Sequence, residues 1–369
     1  MIINSKIKLL IAVPSLECGG LERNVSIICN NIDSSRFDVT LTVLNNANQF
    51  FPISNPAIKI IDLKINNVRK SLFAIAKLSR QIKPDIILTT ANHLNLFFGI
   101  FKWLFPKRIR IIARESSIVS INVPKTWNAR FYKWLLRTFY KKLDLVICQS
   151  VYMRDDLVKN CGIPTAKTFI INNAVQPPVA AFSASDISEE AALPQLITVA
   201  RLSEEKGVAR IIRALSQLSV PFKYTIIGEG PLRPRLEKLI KELSLETRIS
   251  MPGKSDKPFA QVNSPTLFLM GSFFEGFPNV LLEANSLGIP VVAFNAPGGI
   301  GELITNYENG LLVEGNDETA FAIAVKKALD HSFDRDKISL GVKARFDVKK
   351  IITRWEALLE NVYQKKDRF

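Results

Sequence analysis

Two acidic and two basic side chains are spaced so that they can act on one ligand: Glu275 and Glu283, and Arg201 and Lys206. Glu275 lies in Ser272-Phe273-Phe274-Glu275-Gly276-Phe277-Pro278-Asn279-Val280-Leu281-Leu282-Glu283, just after the apolar run Leu267 to Met270, which reads as a buried strand. Pro278 stands at a first helical position, Gly288 lies past the end, and Pro290 blocks continuation; a helix is expected from Pro278 to Leu287. Val280, Leu281, Leu282, Ala284 and Leu287 make it apolar on nearly every side, which predicts burial, with Glu283 as its only charge. A buried carboxylate needs donors to offset its lost hydration, and the N–H groups of a helix start favour an anion. Carboxylates beside amides suit a ligand with sugar hydroxyls and a phosphate. A structural reading competes, in which Glu275 is solvated and Glu283 pairs with a basic residue in the core.

Two further loops repeat this layout. Val291 to Phe294 reads as a strand, followed by Asn295-Ala296-Pro297-Gly298-Gly299-Ile300-Gly301-Glu302, a glycine loop and expected helix start. Glycines there let the backbone approach a phosphate. Arg201-Leu202-Ser203-Glu204-Glu205-Lys206-Gly207 follows a strand expected at Leu196 to Ala200. Its two cations can clamp a diphosphate, or pair with Glu204 and Glu205.

The run from Thr266 to Val313 resembles the signature of retaining glycosyltransferases of family four, which have the GT-B fold. The matching residues are Glu275 to Ala284 (E-G-F-P-N-V-L-L-E-A), Gly288 to Ala293 (G-x-P-V-V-A), Gly298 to Glu302, and Asn309 to Val313 (N-G-L-L-V). The resemblance implies an α/β chain of two Rossmann-like, doubly wound parallel-sheet domains facing an interdomain cleft. It implies a nucleotide-sugar donor on Glu283, Gly276, Phe277, Pro278, Asn279, Val280, Gly298 and Gly299, with Glu275 on a sugar hydroxyl. R-L-x-x-x-K-G matches the family's diphosphate pattern at Arg201 and Lys206. Gly228-Glu229-Gly230-Pro231 resembles its turn beside the nucleotide, and Gly253 and Lys254 its loop at the base.

The elements that must carry these loops are legible along the whole chain. Strands are expected at Ile7 to Val13, Val39 to Leu44, Lys59 to Leu63, Asp85 to Thr89, Arg110 to Ala113, Asp144 to Cys148 and Thr168 to Ile171, alternating with helices. Ala174 to Gln195 has no periodicity and reads as a linker. The expected layout is a first domain at 1–175, a linker at 176–194, a second domain at 195–345, and a final helix in 346–369. In the family that helix crosses back to the first domain.

The first domain carries the acceptor side. Gly19 and Gly20 end its first strand, where open α/β sheets bind ligands, and in the family this pair lines the cleft. The second strand ends in Asn45-Asn46 and lacks the acidic residue of a dinucleotide site, which excludes nicotinamide cofactors. His93 follows a strand and is read either as a ligand contact or as structural. Many family members place a donor-contacting histidine where this chain has Arg114 and Glu115. Those two are candidates to replace it, or form a surface ion pair.

Charge is uneven. Residues 1–185 hold 25 Lys and Arg against 10 Asp and Glu, whereas residues 186–369 hold 24 of each, so the first half carries the whole net charge of +15. Between Phe97 and Lys142 the excess alternates with aromatics, as in Phe101-Lys102-Trp103 and Phe131-Tyr132-Lys133-Trp134. Rings at headgroup depth beside cations suit an anionic membrane surface, met through the Lys102–Lys142 region. Nucleic acid is the rival anion, but no binding module is recognisable. No apolar window spans a membrane, no signal peptide is evident, and the four cysteines lack C-x-x-C spacing. These point to a cytoplasmic chain, peripheral on the inner membrane face. Two distant histidines and one D-x-D, Asp334-Arg335-Asp336 in a polar loop, point to no metal and no cofactor. The expected activity is sugar transfer from a UDP-sugar, or secondarily a GDP-sugar, to a lipid-linked or polysaccharide hydroxyl. A nucleic-acid-binding protein and a nucleotide-sugar epimerase are the alternatives.

Overall fold

The continuous apolar runs form the central strands of two parallel sheets, as strands covered on both faces must. The computed structural model describes residues 5–17, 19–66, 68–122, 128–176 and 193–364. The chain divides into two units, Met1–Ala174 with Val348–Phe369, and Val175–Asp347. Residues 177–192, most of the expected linker, lie outside the described residues.

The first unit runs β1 (Ile7–Val13), α1 (Gly20–Asn31), β2 (Phe37–Val43), β3 (Lys59–Asp62), α2 (Val68–Ile82), β4 (Ile86–Thr90), α3 (Asn92–Ile100), β5 (Arg110–Arg114), α4 (Ala129–Phe139), β6 (Leu145–Cys148), α5 (Val151–Cys161) and β7 (Thr168–Ile170). Its seven strands lie in the order β3-β2-β1-β4-β5-β6-β7 and all pair in parallel. Helix α3 stops at Ile100, and the chain then tightens into a 3-10 turn at Lys102–Leu104.

The second unit runs β8 (Gln195–Val199), α6 (Val208–Leu215), β9 (Lys223–Ile227), α7 (Arg233–Glu242), β10 (Ile249–Gly253), β11 (Leu267–Met270), α8 (Asn279–Ser286), β12 (Val291–Phe294), β13 (Gly310–Val313), α9 (Glu318–Asp330) and α10 (Arg335–Phe346). Its six strands lie in the order β10-β9-β8-β11-β12-β13. Both sheets grow outward from their first strand and then reverse, between β1 and β4 and between β8 and β11. Such a reversal opens a crevice at the carboxyl ends of the two strands, where ligands bind in open α/β sheets.

The last helix, α11 (Val348–Gln364), belongs to the first unit. Its stripe of Ile351, Ile352, Trp355, Leu358 and Leu359 joins that unit's core with β1 and α1. Glu356 and Glu360 on its flank pair with Arg36. Asp334 caps α10 by accepting from the Lys337 amide at 2.9 Å, so the lone D-x-D is a helix start. Among the described residues no helix is long and apolar enough to cross a membrane. Cys29, Cys148 and Cys161 are free and buried; Cys18 lies outside the described residues.

Candidate active site

The crevice between β8 and β11 is flanked by the two loops that carry Lys206 and Glu275. Lys206 Nζ donates to Glu275 Oε1 at 2.6 Å, across a sequence separation that only the sheet reversal closes. Both side chains are largely covered, at 27% and 12% exposure. Ser272 Oγ donates to the same carboxylate oxygen at 2.6 Å, and the Phe273 amide donates to the Glu205 carbonyl at 2.8 Å. The backbones themselves touch: a Cβ on Gly207, whose φ is +57°, would lie 1.9 Å from the Gly271 carbonyl oxygen. Only glycine allows that contact in that conformation.

Arg201 takes the alternative its neighbours offered. Its guanidinium binds Glu205 and Ser203 of its own loop and is 69% exposed. Such an exposed pair is worth little in water, so exchange of Glu205 for an incoming anion costs little. Lys206 does not pair with Glu204 or Glu205; its partner is Glu275.

Helix α8 starts one residue later than expected. Pro278 is its N-cap residue, with extended backbone and no side-chain acceptor to satisfy the first-turn amides. Gly276 and Phe277 lead into it, and Asn279 and Val280 form its first turn. Glu283 is 4% exposed in the second turn. Helical Cα–Cβ bonds tilt toward the N-terminus, so the Glu283 side chain leaves the backbone in the direction of the helix start.

The Gly298–Glu302 segment is not a helix start. It is a sequence of turns, with Gly299 N–H bonded to the carbonyls of Glu275 (3.2 Å) and Gly276 (3.1 Å). Gly298, at φ +123°, lies against Glu275, where an added Cβ would be 1.5 Å from its carbonyl oxygen. The segment is a backbone buttress under the Glu275 loop. Tight pairing with that loop, and Gly301 within the segment, prevent a helical run from nucleating. Gly228 directly follows β9, with its amide bonded to the Gly253 carbonyl at 2.9 Å, and exposed Lys254 follows β10 at the same sheet edge.

In the first unit, Gly19 and Gly20 begin α1 after β1, and exposed His93 begins α3 after β4. All three sit at that sheet's reversal. Ala91, just before His93, is held at φ +76°, a strained conformation for a residue with a side chain. The Glu22 carboxylate folds back over Gly19, and burial raises its pKa.

Arg114 and Glu115 are neither a surface pair nor open to an acceptor. They are 2% and 0% exposed. Arg114 Nη2 donates to Asn173 Oδ1 at 2.7 Å, while Glu115 Oε1 accepts from Tyr140 Oη at 2.7 Å and from Asn95 Nδ2 at 2.6 Å. Burial pushes Glu115 up to about 7 and Arg114 down to about 10. Their place at the carboxyl end of a fully covered central strand explains the burial.

The basic segment divides by face. On α4, Tyr132, Leu135 and Leu136 are buried, while Arg130, Phe131, Lys133, Trp134 and Arg137 are exposed. Phe131 and Trp134 stack at 5.7 Å, Lys142 Nζ lies 4.6 Å from the Phe139 ring, and Trp103 is 73% exposed. Lys102 and Arg110 instead pair with Asp144, at 2.8 and 3.3 Å.

Two family models match the chain: Glycosyltransferase Family 4 over residues 18–177 and Glycosyl transferases group 1 over residues 184–344. The chain is 30% identical over 362 residues to a Campylobacter jejuni N-acetylgalactosamine-N,N'-diacetylbacillosaminyl-diphospho-undecaprenol 4-alpha-N-acetylgalactosaminyltransferase, covering 93% of this chain and 97% of the relative. Among solved structures, Anabaena HepE in complex with UDP-glucose aligns with a TM-score of 0.77 at 22% identity, over 96% of this chain and 100% of that one. A lipopolysaccharide outer core galactosyltransferase in its apo form aligns with a TM-score of 0.76 at 19% identity, over 95% and 98%. These likenesses identify the fold as GT-B. With both halves matched and a relative this similar along its whole length, the chain belongs to the glycosyltransferases of the group 1, family 4 type, and is an enzyme.

Proposed function

We propose that this glycosyltransferase moves a hexosyl or N-acetylhexosaminyl group from a UDP-sugar, with a GDP-sugar as second choice, to a hydroxyl of a lipid-linked or polysaccharide acceptor. We further propose that the anomeric configuration is retained and that no metal or other cofactor takes part. The observation that carries this reading is the Lys206–Glu275 contact at the β8/β11 crevice, beside the start of α8. The Campylobacter relative, named for N-acetylgalactosamine transfer onto a diphospho-undecaprenol glycan, supports the donor and acceptor classes.

In this account Glu283 accepts from ribose hydroxyls, Arg201 and Lys206 bind the diphosphate, and Glu275 accepts from a sugar hydroxyl. The bond from the anomeric carbon to the β-phosphate oxygen breaks, and negative charge develops on that phosphate. Preorganised cations and helix amides aimed at the charge supply the main catalytic term. The acceptor oxygen bonds to the same face that the phosphate leaves, and its proton passes to a phosphate oxygen. The Gly19–Gly20 side of the first unit receives the acceptor.

The exposed aromatic and basic face of α4, with Trp103, is proposed to rest on anionic lipid, on the cytoplasmic side, rather than on nucleic acid. Its rings suit headgroup depth and its cations the lipid charge. Melting curves with UDP-N-acetylgalactosamine, UDP-N-acetylglucosamine, UDP-glucose, UDP-galactose and GDP-mannose test the donor class. A ligand at about 100 times its Kd stabilises by about 2.7 kcal/mol, several degrees for a domain of this size. A shift with one or more UDP-sugars supports the reading; no shift with any of the five contradicts it.

A further inference from the structure

Arg210 is buried on α6, at 3% exposure. It makes three directed contacts. Nε donates to the Gly271 carbonyl at 2.6 Å, Nη2 donates to the Ser272 carbonyl, and Nη1 donates to Asn316 Oδ1 at 2.7 Å. The guanidinium is sandwiched between two rings, with its carbon 4.1 Å from the centre of Phe273 and 3.8 Å from that of Phe294. Phe294 in turn stacks on Phe321 at 4.5 Å.

Burying a cation costs several kcal/mol, and an apolar side chain of similar volume would fill this space more cheaply. What an apolar residue cannot do is hold two successive carbonyls at fixed directions. Only the planar fork of arginine carries donors in that geometry and also stacks flat between rings. The carbonyls it holds belong to Gly271 and Ser272, and Ser272 Oγ donates to Glu275 Oε1. The Gly271 carbonyl is also the atom against which Gly207, the residue after Lys206, is packed.

We infer that Arg210 is a positioning residue for sugar transfer, pinning the Gly271–Glu275 loop so that the Glu275 carboxylate is held against Lys206. The inference deepens the donor-site reading and rests on Glu275 acting there. Arg210 touches no substrate; it acts through the loop, and Phe273 is the lid that keeps its guanidinium dry. Burial lowers the Arg210 pKa to about 10, which leaves it cationic at neutral pH.

The test uses the full chain and the sugar nucleotide that shifts its melting most among the five named above. Turnover is read as nucleoside diphosphate release, for wild type, R210K, F273L, E275Q and the doubles R210K/E275Q and F273L/E275Q. Lysine keeps the charge without the fork, so R210K is expected to lower kcat about 10- to 100-fold, with donor KM changed by less than about threefold. In the E275Q background the same change is expected to cost less than about twofold, because the residue it positions is already lost. A loss through unfolding alone would be equal in both backgrounds. Phe273 is 44% exposed, so F273L keeps the fold if R210K does not, and it is expected to show the same dependence on Glu275 at about three- to tenfold. Folded R210K or F273L with wild-type kcat overturns the inference, as does an equal loss with and without Glu275. E275Q with wild-type turnover overturns the role of Glu275 and the inference with it. Wild-type protein that turns over none of the five donors defeats the donor reading itself.

Discussion

Lys206 and Glu275 meet at 2.6 Å across the reversal of the second sheet, joining the loop after β8 to the loop after β11. A charge-assisted hydrogen bond between partly covered groups contributes about 1.5–3 kcal/mol. The pair therefore sets the shape of the crevice before any ligand arrives. In the proposed mechanism this contact holds the Lys206 ammonium at the crevice for an incoming diphosphate.

Removing that cation tests its catalytic use. Lys206→Met is expected to lower kcat about 100- to 1000-fold, the range seen for loss of one preorganised transition-state donor. Its melting temperature should fall by only a few degrees, since one partly exposed pair is lost. Steady-state turnover beside a melting curve separates the two. Unchanged turnover removes Lys206 from the mechanism.

Gly298 should tolerate no side chain. Its positive φ and its contact with the Glu275 carbonyl leave an added methyl nowhere to go. Gly298→Ala is expected to destabilise by about 1–3 kcal/mol through backbone strain and to lower turnover by displacing Glu275. Denaturant unfolding and kinetics measure both; a variant with native stability and turnover contradicts the buttress role.

Glu115 makes stability depend on pH. Burial raises its folded pKa to about 7, above the unfolded value, so the native state holds the proton more tightly. The group's contribution is fully present below the unfolded carboxylate pKa and is lost as pH rises through about 7. Glu115→Gln cannot titrate, so its melting temperature should gain on wild type as pH rises from about 5 to about 7 and hold that gain above it. Parallel melting curves for the two proteins across that range would contradict the assignment.

Lipid docking is tested by charge on α4 and the turn after it. Neutralising Lys133, Arg137, Lys141 and Lys142 should weaken binding to anionic vesicles at least tenfold, at about 1 kcal/mol per basic residue near the surface. Sedimentation with phosphatidylglycerol vesicles reads this directly. Equal binding by the variant defeats the docking face.

Much of this was legible in residue order. Continuous apolar runs and Gly or Pro punctuation placed the strands, and Pro278, Gly288 and Pro290 bracketed α8 to within a residue at each end. The motif segments located the crevice loops. What could not be read is what depends on long-range contact. Gly298–Glu302 follows the local pattern of a helix start, yet its backbone pairs with Glu275 from another loop. Arg114 and Glu115 look like surface charges because sequence shows no sign of Asn95, Tyr140 and Asn173 converging on them. Arg210 shares its helix with one other arginine, exposed Arg213; only small Gly207 and Ala214, one turn to either side, hint at room for a buried long chain.

The most direct measurement is a crystal structure of the protein with UDP and a donor sugar bound. The account predicts the diphosphate within hydrogen-bond distance of Lys206, the ribose on Glu283, and a sugar hydroxyl on Glu275, at the β8/β11 crevice. A nucleotide seated elsewhere, with the Lys206–Glu275 contact untouched, would contradict it.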